Sequence, residues 1–450
     1  MKNLKLLQDR LLIFLIVFQT FLIVVPNLIF IQAFFSIVIG VYYAFKGKEV
    51  KVISIISFIT GSEIYYKMLI THKVAIMPWE FPKYAALVIC IILFTSRSLA
   101  GSKKYYTFSL IIYVLLICIS FIYSIFLKDV TFTEIKSILG FYALGPLALG
   151  ATILAFDNVK MSAYSFKKII IYYFAGILPS SIFLLNNLSM FVAAQYVAVD
   201  SNKEFAGYGP IHVSLGLSFM VGLFLLSLIK YRFWKQRKTI YLLTTFFIIV
   251  MVLTFSRSGV YAVLPSVLVA THYKIKNFKK ILIYYCFGIF SLLFIYVSLN
   301  NFTDNSLKLR YTQEETDPRF YLMKTDIEAW FDHPIFGVGF GNSKKYRGPG
   351  WGGMISHNEI TRFLAEQGIC GLFCLLIIVV ISIDRLKKGK NNVYMPFILF
   401  LIIFSFLYFN ANAFRTYLPG FATGLAFIRF NHKQEPVSYT HLTLPTTPYV

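Results

Sequence analysis

The sequence predicts an all-α polytopic membrane protein with about 12–14 transmembrane helices and one long loop that contains short helices. Composition supports this fold class, because the 450 residues are 58% hydrophobic and only 14% charged, with a mean hydropathy of +0.69. Soluble globular proteins of this size do not have such a composition. The net charge of +23 lies in short basic clusters between apolar runs, a distribution that argues against a nucleic-acid-binding surface.

The apolar runs give the predicted helices in order along the chain. The charge-free run from Leu11 to Phe45 is too long for one span, and Pro26-Asn27 is the natural break within it. The resulting spans are 11–25 and 27–45, followed by segments near 52–70, 84–96, 105–126, 137–156, 169–188, 210–229, 239–255, 259–271, 281–299, 359–383, 394–409 and 414–428. The N-terminus lacks a small-residue cleavage site, which predicts a retained first helix.

The cysteine pattern predicts neither disulfide bonds nor a metal site. All the cysteines lie in apolar segments, with neither a paired framework nor a metal-binding spacing. They are interpreted as small buried side chains.

The basic residues predict the orientation of these helices. If the N-terminus is cytoplasmic, alternate loops and the two termini hold about 27 of the 43 Lys and Arg residues. This asymmetry predicts both termini inside and the segment 300–357 outside. The chain is accordingly divided into a helical bundle at 1–299, an outer loop at 300–357 and C-terminal transmembrane helices at 358–433. Residues 436–450 follow the last basic cluster without a helical pattern and are predicted to be a non-native tail.

The outer loop contains one clear helical pattern, "TDPRFYLMKTDIEAWF". Asp317 suits the N-cap and Pro318 the first helical position. One face of this helix is apolar and consists of Phe320, Met323, Ile327, Trp330 and Phe331. We expect it to lie against the membrane surface or the top of the bundle.

The stretch "SHNE" begins the long helix that follows this loop. Ser356 and Glu359 have the spacing of a capping box, which predicts Ser356 as the N-cap and His357 in the first turn. The positive end of the helix dipole disfavours a protonated imidazole there. His357 is therefore expected to be neutral at pH 7, as a general base must be. The alternative is an interfacial histidine that only forms local hydrogen bonds.

Two arginines are candidates for binding an anion. Arg257 in "LTFSRSGVYAV" lies between apolar runs, where a charge is costly. It is expected to face a cavity or an anion, or else to pair with a carboxylate such as Glu63. Arg319 lies in the first turn of the loop helix, where free amides and a guanidinium together favour an anion. The alternative for Arg319 is a salt bridge to Glu314, Glu315 or Asp317.

Other polar residues give weaker signals. Lys324 adds positive charge to the outer loop, His212 lies near an outer helix start, and Glu63 is buried in an apolar run. No set of His, Cys, Asp and Glu has a convincing metal spacing, and "GVGFG" lacks the context of a nucleotide-binding loop. One base and two arginines on one face suit a transferase whose donor is a lipid-linked diphosphate sugar. A polytopic transporter with basic residues along an anion path is the alternative from another class.

The region 318–372 resembles the O-antigen ligase and polymerase superfamily. The pattern consists of an Arg-bearing helix, a His-Pro-x-x-Gly-x-Gly turn, a His-Asn at a helix start, and Glu-x-Gly-x-x-Gly. In this chain the matching residues are Arg319, His333, Pro334, Gly337, Gly339, His357, Asn358, Glu366, Gly368 and Gly371. The upstream "SRSG", residues 256–259, also matches and includes Arg257.

The resemblance implies a GT-C-like, metal-independent, inverting glycosyltransferase without a cofactor, in the bacterial inner membrane. Its donor would be a glycan on undecaprenyl pyrophosphate, used at the periplasmic face. His357 would be the catalytic base, and Arg257 and Arg319 would bind the donor pyrophosphate. The candidate supporting residues are Asn358, Glu366, Lys324, His212 and Glu63. His212 departs from the family, in which many relatives carry an amide there. The acceptor, which is lipid A core for a ligase and a glycan for a polymerase, stays open.

Overall fold

The computed structural model describes most of the chain as a bundle of α-helices. The described residues are 9–73, 78–102, 104–126, 135–136, 138–186, 209–229, 236–254, 256–273, 297, 301, 318–348, 353–390 and 392–430. The predicted non-native tail at 436–450 lies outside these residues. So does the predicted span at 281–299, apart from residue 297.

The first helices follow the predicted apolar runs. α1 (Arg10–Val24) ends just before Pro26, a 3-10 turn covers Pro26–Leu28, and α2 (Ile29–Phe45) continues from it. Proline cannot donate the backbone hydrogen bond that would continue α1, so the predicted break is confirmed. The next helices are α3 (Glu49–Thr71), α4 (Phe81–Leu99) and α5 (Thr107–Phe126).

Close packing of α3 depends on glycine. A π-helical turn (Ile138–Ala143) leads into α6 (Leu144–Phe156), and the next helix, α7 (Ala163–Asn186), packs along α3. A Cβ atom on Gly61 of α3 would lie 2.5 Å from the Tyr173 carbonyl oxygen of α7. Small residues allow such backbone contact where lipid supplies no hydrophobic driving force between helices.

The remaining helices complete the bundle around a continuous apolar core. They are α8 (Pro210–Ile229), α9 (Arg237–Leu253), α10 (Ser258–His272), α11 (Pro318–Asp332), α12 (Glu359–Gly389), α13 (Met395–Ala411) and α14 (Leu418–Ala426). The strands found among the described residues are two-residue segments, β1 (Lys160–Met161) and β2 (Arg429–Phe430), which pair in parallel.

The helices confirm the all-α polytopic fold class. Every predicted span within the described residues coincides with a helix. Eight of the described helical segments are long and apolar enough to cross a membrane. Those segments are Pro26–Phe45, Glu49–Thr71, Phe81–Leu99, Thr107–Phe126, Ile138–Phe156, Ala163–Asn186, Pro210–Ile229 and Glu359–Gly389. The helices α1, α10 and α13 are apolar but shorter.

The loop helix α11 begins at Pro318, as predicted. It packs on α12 through a face that includes Leu322, Asp326 and Ala329, all buried. Within the predicted apolar face, Met323 and Trp330 are half-buried, whereas Phe320 and Phe331 are 74% and 71% exposed. Of the two expected placements for this face, contact with the top of the bundle is therefore wrong for these two residues.

The long helix α12 is interrupted at Gly368. This residue has φ 57° and ψ −133°, a conformation that favours glycine. The preceding glycine turn is hydrogen-bonded to α12 at this interruption. Val338 N donates to Ala365 O at 2.9 Å, and Ile369 N donates to Ile335 O at 3.0 Å. The turn itself uses the left-handed region at Gly337, with φ 69°. The turn that contains "GVGFG" therefore fixes the outer loop against α12.

Candidate active site

The start of α12 differs from the predicted capping box. Asn358 is the N-cap, and its Oδ1 accepts hydrogen bonds from Ile360 N at 2.8 Å and Thr361 N at 3.3 Å. Ser356 instead forms a local turn, in which its Oγ accepts a hydrogen bond from Asn358 N at 3.2 Å. The predicted cap at Ser356 is therefore wrong, and His357 precedes the helix instead of lying in its first turn.

His357 is half-buried beside this cap. Its Nδ1 is buried and has no hydrogen-bond partner in the part of the chain that the structure describes. Burial, and then the charges of Arg415, Arg319 and Arg347, lower the pKa of His357 to about 3. The expected neutral imidazole is thus confirmed. Its cause is burial among cations, whereas the sequence argument relied on the helix dipole.

Arg319 contacts the start of α10, where Arg257 lies. Arg257 is the N-cap residue of this helix and its side chain is exposed. Arg319 Nη2 donates to the Oγ of Ser258, the next residue, at 3.4 Å. Because the Arg319 charge also acts on His357, the three predicted site residues lie around one region. Convergence of this kind is what binding a diphosphate beside a base requires.

The "SRSG" sequence explains how α10 reaches this position. Gly259 N donates to the Ser214 Oγ of α8 at 3.2 Å, and the same Oγ donates to Ser256 O at 3.1 Å. A Cβ atom at Gly259 would lie 2.3 Å from that Oγ. The glycine therefore permits the contact between α8 and α10 that places Arg257 next to Arg319.

A buried ion pair holds the loop around His357. Arg347 Nη2 lies 3.0 Å from Asp326 Oδ1, and both side chains are fully buried. The other carboxylate oxygen of Asp326 accepts from Thr361 Oγ1 at 2.9 Å, and Arg347 Nε donates to Met354 O at 3.0 Å. This Arg347 cluster joins α11, the loop and the first turn of α12. Sequence reasoning did not single out this cluster, because its members are far apart in the chain and have no local spacing that joins them.

His212 is buried and lies within electrostatic range of His357. Its Nδ1 is hydrogen-bonded to Asn412 Nδ2, which also donates to Tyr408 OH at 3.3 Å. A second histidine thus borders the site from α8, in contact with the segment after α13.

Glu63 is paired with a lysine and not with Arg257, the partner considered from the sequence. Its Oε1 lies 3.0 Å from Lys67 Nζ, and its Oε2 accepts from Tyr417 N at 2.7 Å. Lys83 and Glu80 form an adjacent buried pair at 2.5 Å. The partner of Glu63 is therefore Lys67, and the proposed pairing of Glu63 with Arg257 is wrong.

The other supporting candidates make contacts that fix the surrounding structure or lie at the protein surface. Asn358 combines its capping role with a bond from its Nδ2 to Asn410 Oδ1 at 2.7 Å. Glu366 is buried and accepts from Ser343 Oγ at 3.0 Å, so it fixes the loop to α12. Lys324 is exposed on α11 and lies 3.8 Å from Glu328.

Arg415 is a site residue that sequence reasoning missed. After burial, the charge of Arg415 makes the largest contribution to the lowered pKa of His357. The signal was present, because Arg415 lies at the start of the apolar segment 414–428, where a charge is costly. Within the described residues, no group of three or more His, Cys, Asp and Glu is placed to hold a metal ion.

A comparison with protein families gives one match. A family model described as O-antigen ligase matches residues 240–376, which include α10, α11, the glycine turn and the first part of α12. No curated protein matches the chain. The matched region contains Arg257, Arg319 and His357. Residues 240–376 are thus similar to the O-antigen ligase family, and the resemblance to the O-antigen ligase and polymerase superfamily is confirmed.

Proposed function

We propose that this membrane protein transfers a glycan from undecaprenyl pyrophosphate to an acceptor hydroxyl group. The observation that carries the proposal is the neutral, half-buried His357 at a helix start surrounded by arginines. Neutral imidazole can accept the proton of a hydroxyl group, and arginines stabilise the negative charge of a leaving diphosphate. The family match over residues 240–376 supports the same reaction class.

The proposed step is an inverting displacement at the anomeric carbon of the donor. The acceptor oxygen forms the new glycosidic bond while its proton passes to the His357 imidazole. The bond between the anomeric carbon and the pyrophosphate oxygen breaks, and undecaprenyl pyrophosphate leaves. Arg257 and Arg319 bind the pyrophosphate and stabilise its developing charge. Because these residues suffice for the step as written, the proposal includes no metal ion and no cofactor.

The site is proposed to face the periplasm from the bacterial inner membrane. The basic clusters put the loop 300–357 on the side opposite to both termini, with the bundle at 1–299 and the helices at 358–433 on either side of it in sequence. The bilayer supplies the lipid-linked donor laterally, within a GT-C-like arrangement. Asn358, Glu366 and His212 support the site by fixing His357 and the loop, whereas Lys324 and Glu63 lie at its margins.

The acceptor distinguishes a ligase from a polymerase. A ligase transfers the glycan to lipid A core, and a polymerase joins it to another glycan. We propose electrophoresis of lipopolysaccharide from a deletion strain complemented with the wild type or with His357→Ala. Lipid-linked polymer that is not attached to the core would indicate a ligase, and a single repeat unit on the core would indicate a polymerase.

The chemical step is tested by purified protein with its lipid-linked donor. His357→Gln should reduce transfer by about 10²-fold or more, the usual contribution of a general base, at unchanged thermal stability. Arg257→Ala and Arg319→Ala should weaken donor binding, and lysine at either position should restore it only in part because the bidentate fork is lost. Wild-type transfer by His357→Gln would refute the mechanism, and loss of anion flux with normal glycan transfer would favour a transporter.

A further inference from the structure

The segment from the end of α13 to the start of α14, residues 410–417, lies beside the site region. Asn410 Oδ1 accepts from the Nδ2 of Asn358 at 2.7 Å, and Phe414 N donates to Glu359 Oε2 at 3.0 Å. Both contacts join the 410–417 segment to the first turn of α12. Asn358 directly follows His357 in the chain, so the segment lies beside the proposed base.

Buried side chains of other helices fix the same segment from its far side. His212 of α8 is bonded to Asn412, and Glu63 of α3 accepts from Tyr417 N at 2.7 Å. Lys67, which is fully buried, donates to the Arg415 carbonyl oxygen. The backbone on both sides of Arg415 is therefore held by residues that are inaccessible to solvent, and the direction of its side chain is constrained.

The Arg415 guanidinium lies within electrostatic range of three elements of the site. Its charge acts on His357 before α12, on His212 of α8 and on Tyr142 in the π-helical turn. The carboxylates that contact the segment are already engaged, because Glu63 pairs with Lys67 and Glu359 with Arg362. Positive charge thus exceeds negative charge around His357, which favours an anionic ligand at this point.

We infer that Arg415 is a third donor-binding residue, which contacts the diphosphate from the 410–417 segment while Arg257 and Arg319 contact it from α10 and α11. The inference rests on the proposed function and extends it to a residue outside the matched family region, which ends at residue 376. The ligand chemistry is a diphosphate ester. Two linked phosphates offer oxygen atoms to guanidinium groups on several sides, whereas one phosphate offers fewer.

Binding of a short-chain prenyl diphosphate to the purified full-length protein tests the inference. Arg415→Gln should weaken this binding by about tenfold or more, and Arg415→Lys should weaken it less because the charge is kept. For the prenyl monophosphate, the affinities of the wild type and the two Arg415 variants should differ less. Lys344→Gln is the control, since it removes an exposed cation of the outer loop, and it should bind as the wild type does.

The outcomes separate this inference from the proposed function. Wild-type affinity in Arg415→Gln, with weakened binding in Arg319→Ala, would overturn the role of Arg415 alone. Absence of diphosphate binding by the wild type would overturn both proposals. If Arg415→Gln unfolds, Arg415→Lys decides the matter, because an unchanged preference of this variant for diphosphate over monophosphate would contradict a bidentate contact.

Discussion

At the scale of single residues, His357 owes its neutrality to its surroundings more than to its helix. It precedes the N-cap Asn358, so the dipole of α12 is not the first cause. Burial is the largest contribution, and the nearby charges are Arg415, Arg319 and Arg347. Arg415 and Arg319, which are proposed to bind the donor, thus also disfavour protonation of the proposed base.

A pH dependence of stability follows from the lowered pKa of His357. An unfolded histidine titrates near about 6.5, and in the folded protein this pKa falls to about 3. Between these pH values the unfolded chain binds one more proton than the folded chain. The contribution of His357 to the free energy of unfolding is therefore fully present above about pH 6.5 and decreases as the pH falls. The melting temperature of the wild type should therefore drop more steeply from pH 7.5 to 5 than that of His357→Gln.

Differential scanning fluorimetry in detergent measures these slopes. His333→Gln is a suitable control, because His333 is exposed, and it should keep the slope of the wild type. Equal slopes for the wild type and His357→Gln would contradict burial of the neutral imidazole.

At the scale of elements, the Arg347 cluster should determine the stability of the outer loop. Arg347→Ala would leave Asp326 as a fully buried carboxylate without its ion partner. Breaking a buried pair in this way typically costs about 3–5 kcal/mol. Denaturant unfolding should show this loss, and Asp326→Asn combined with Arg347→Met should recover part of it. A cost below about 1 kcal/mol, the range of exposed pairs, would contradict the cluster's role.

The glycine at the interruption of α12 makes a second prediction at this scale. Gly368→Ala combines a positive φ of 57° with a Cβ atom placed 2.5 Å from Ile335 O. Strain of this kind costs about 1–3 kcal/mol, and the glycine turn should shift away from α12. Gly47→Ala is the matched control, since Gly47 has φ +60° but nothing within 4 Å of the added Cβ. Equal losses of melting temperature would show that the contact with Ile335 is unimportant.

Sequence reasoning found the helices but not the contacts between them. Apolar runs predict spans because crossing a bilayer requires a fixed length of apolar chain. The choice of Asn358 over Ser356 as cap could not be made from spacing, because both residue types are good caps. Tertiary contacts distinguish them: Asn358 also binds Asn410, which is 52 residues away. The Glu63–Lys67 pair has the i,i+4 spacing that predicts it, whereas the bond from Lys67 to the Arg415 carbonyl does not follow from local sequence.

At the scale of the whole molecule, the site is assembled from distant parts of the chain. Arg257, Arg319, His357 and Arg415 lie in or beside four different elements, α10, α11, α12 and the segment before α14. Sequence motifs identified Arg257, Arg319 and His357, whereas Arg415 lies farther along the chain and belongs to none of those motifs. Only the packing of α8, α10, α12 and the 410–417 segment brings these four residues to one region.

The orientation of the molecule gives the last prediction, which tests on which side this region lies. The basic clusters predict that the loop 300–357 is outside and that the segment after α12 is inside. In a background in which the native cysteines are replaced by serine, Lys344→Cys should react with a membrane-impermeant maleimide in intact spheroplasts. Lys390→Cys should react only after permeabilisation. Both positions are exposed in the folded protein. A cysteine that does not react is therefore shielded by the membrane and not by burial in the protein. The reverse pattern would place His357 at the cytoplasmic face, where a periplasmic glycan donor could not reach it.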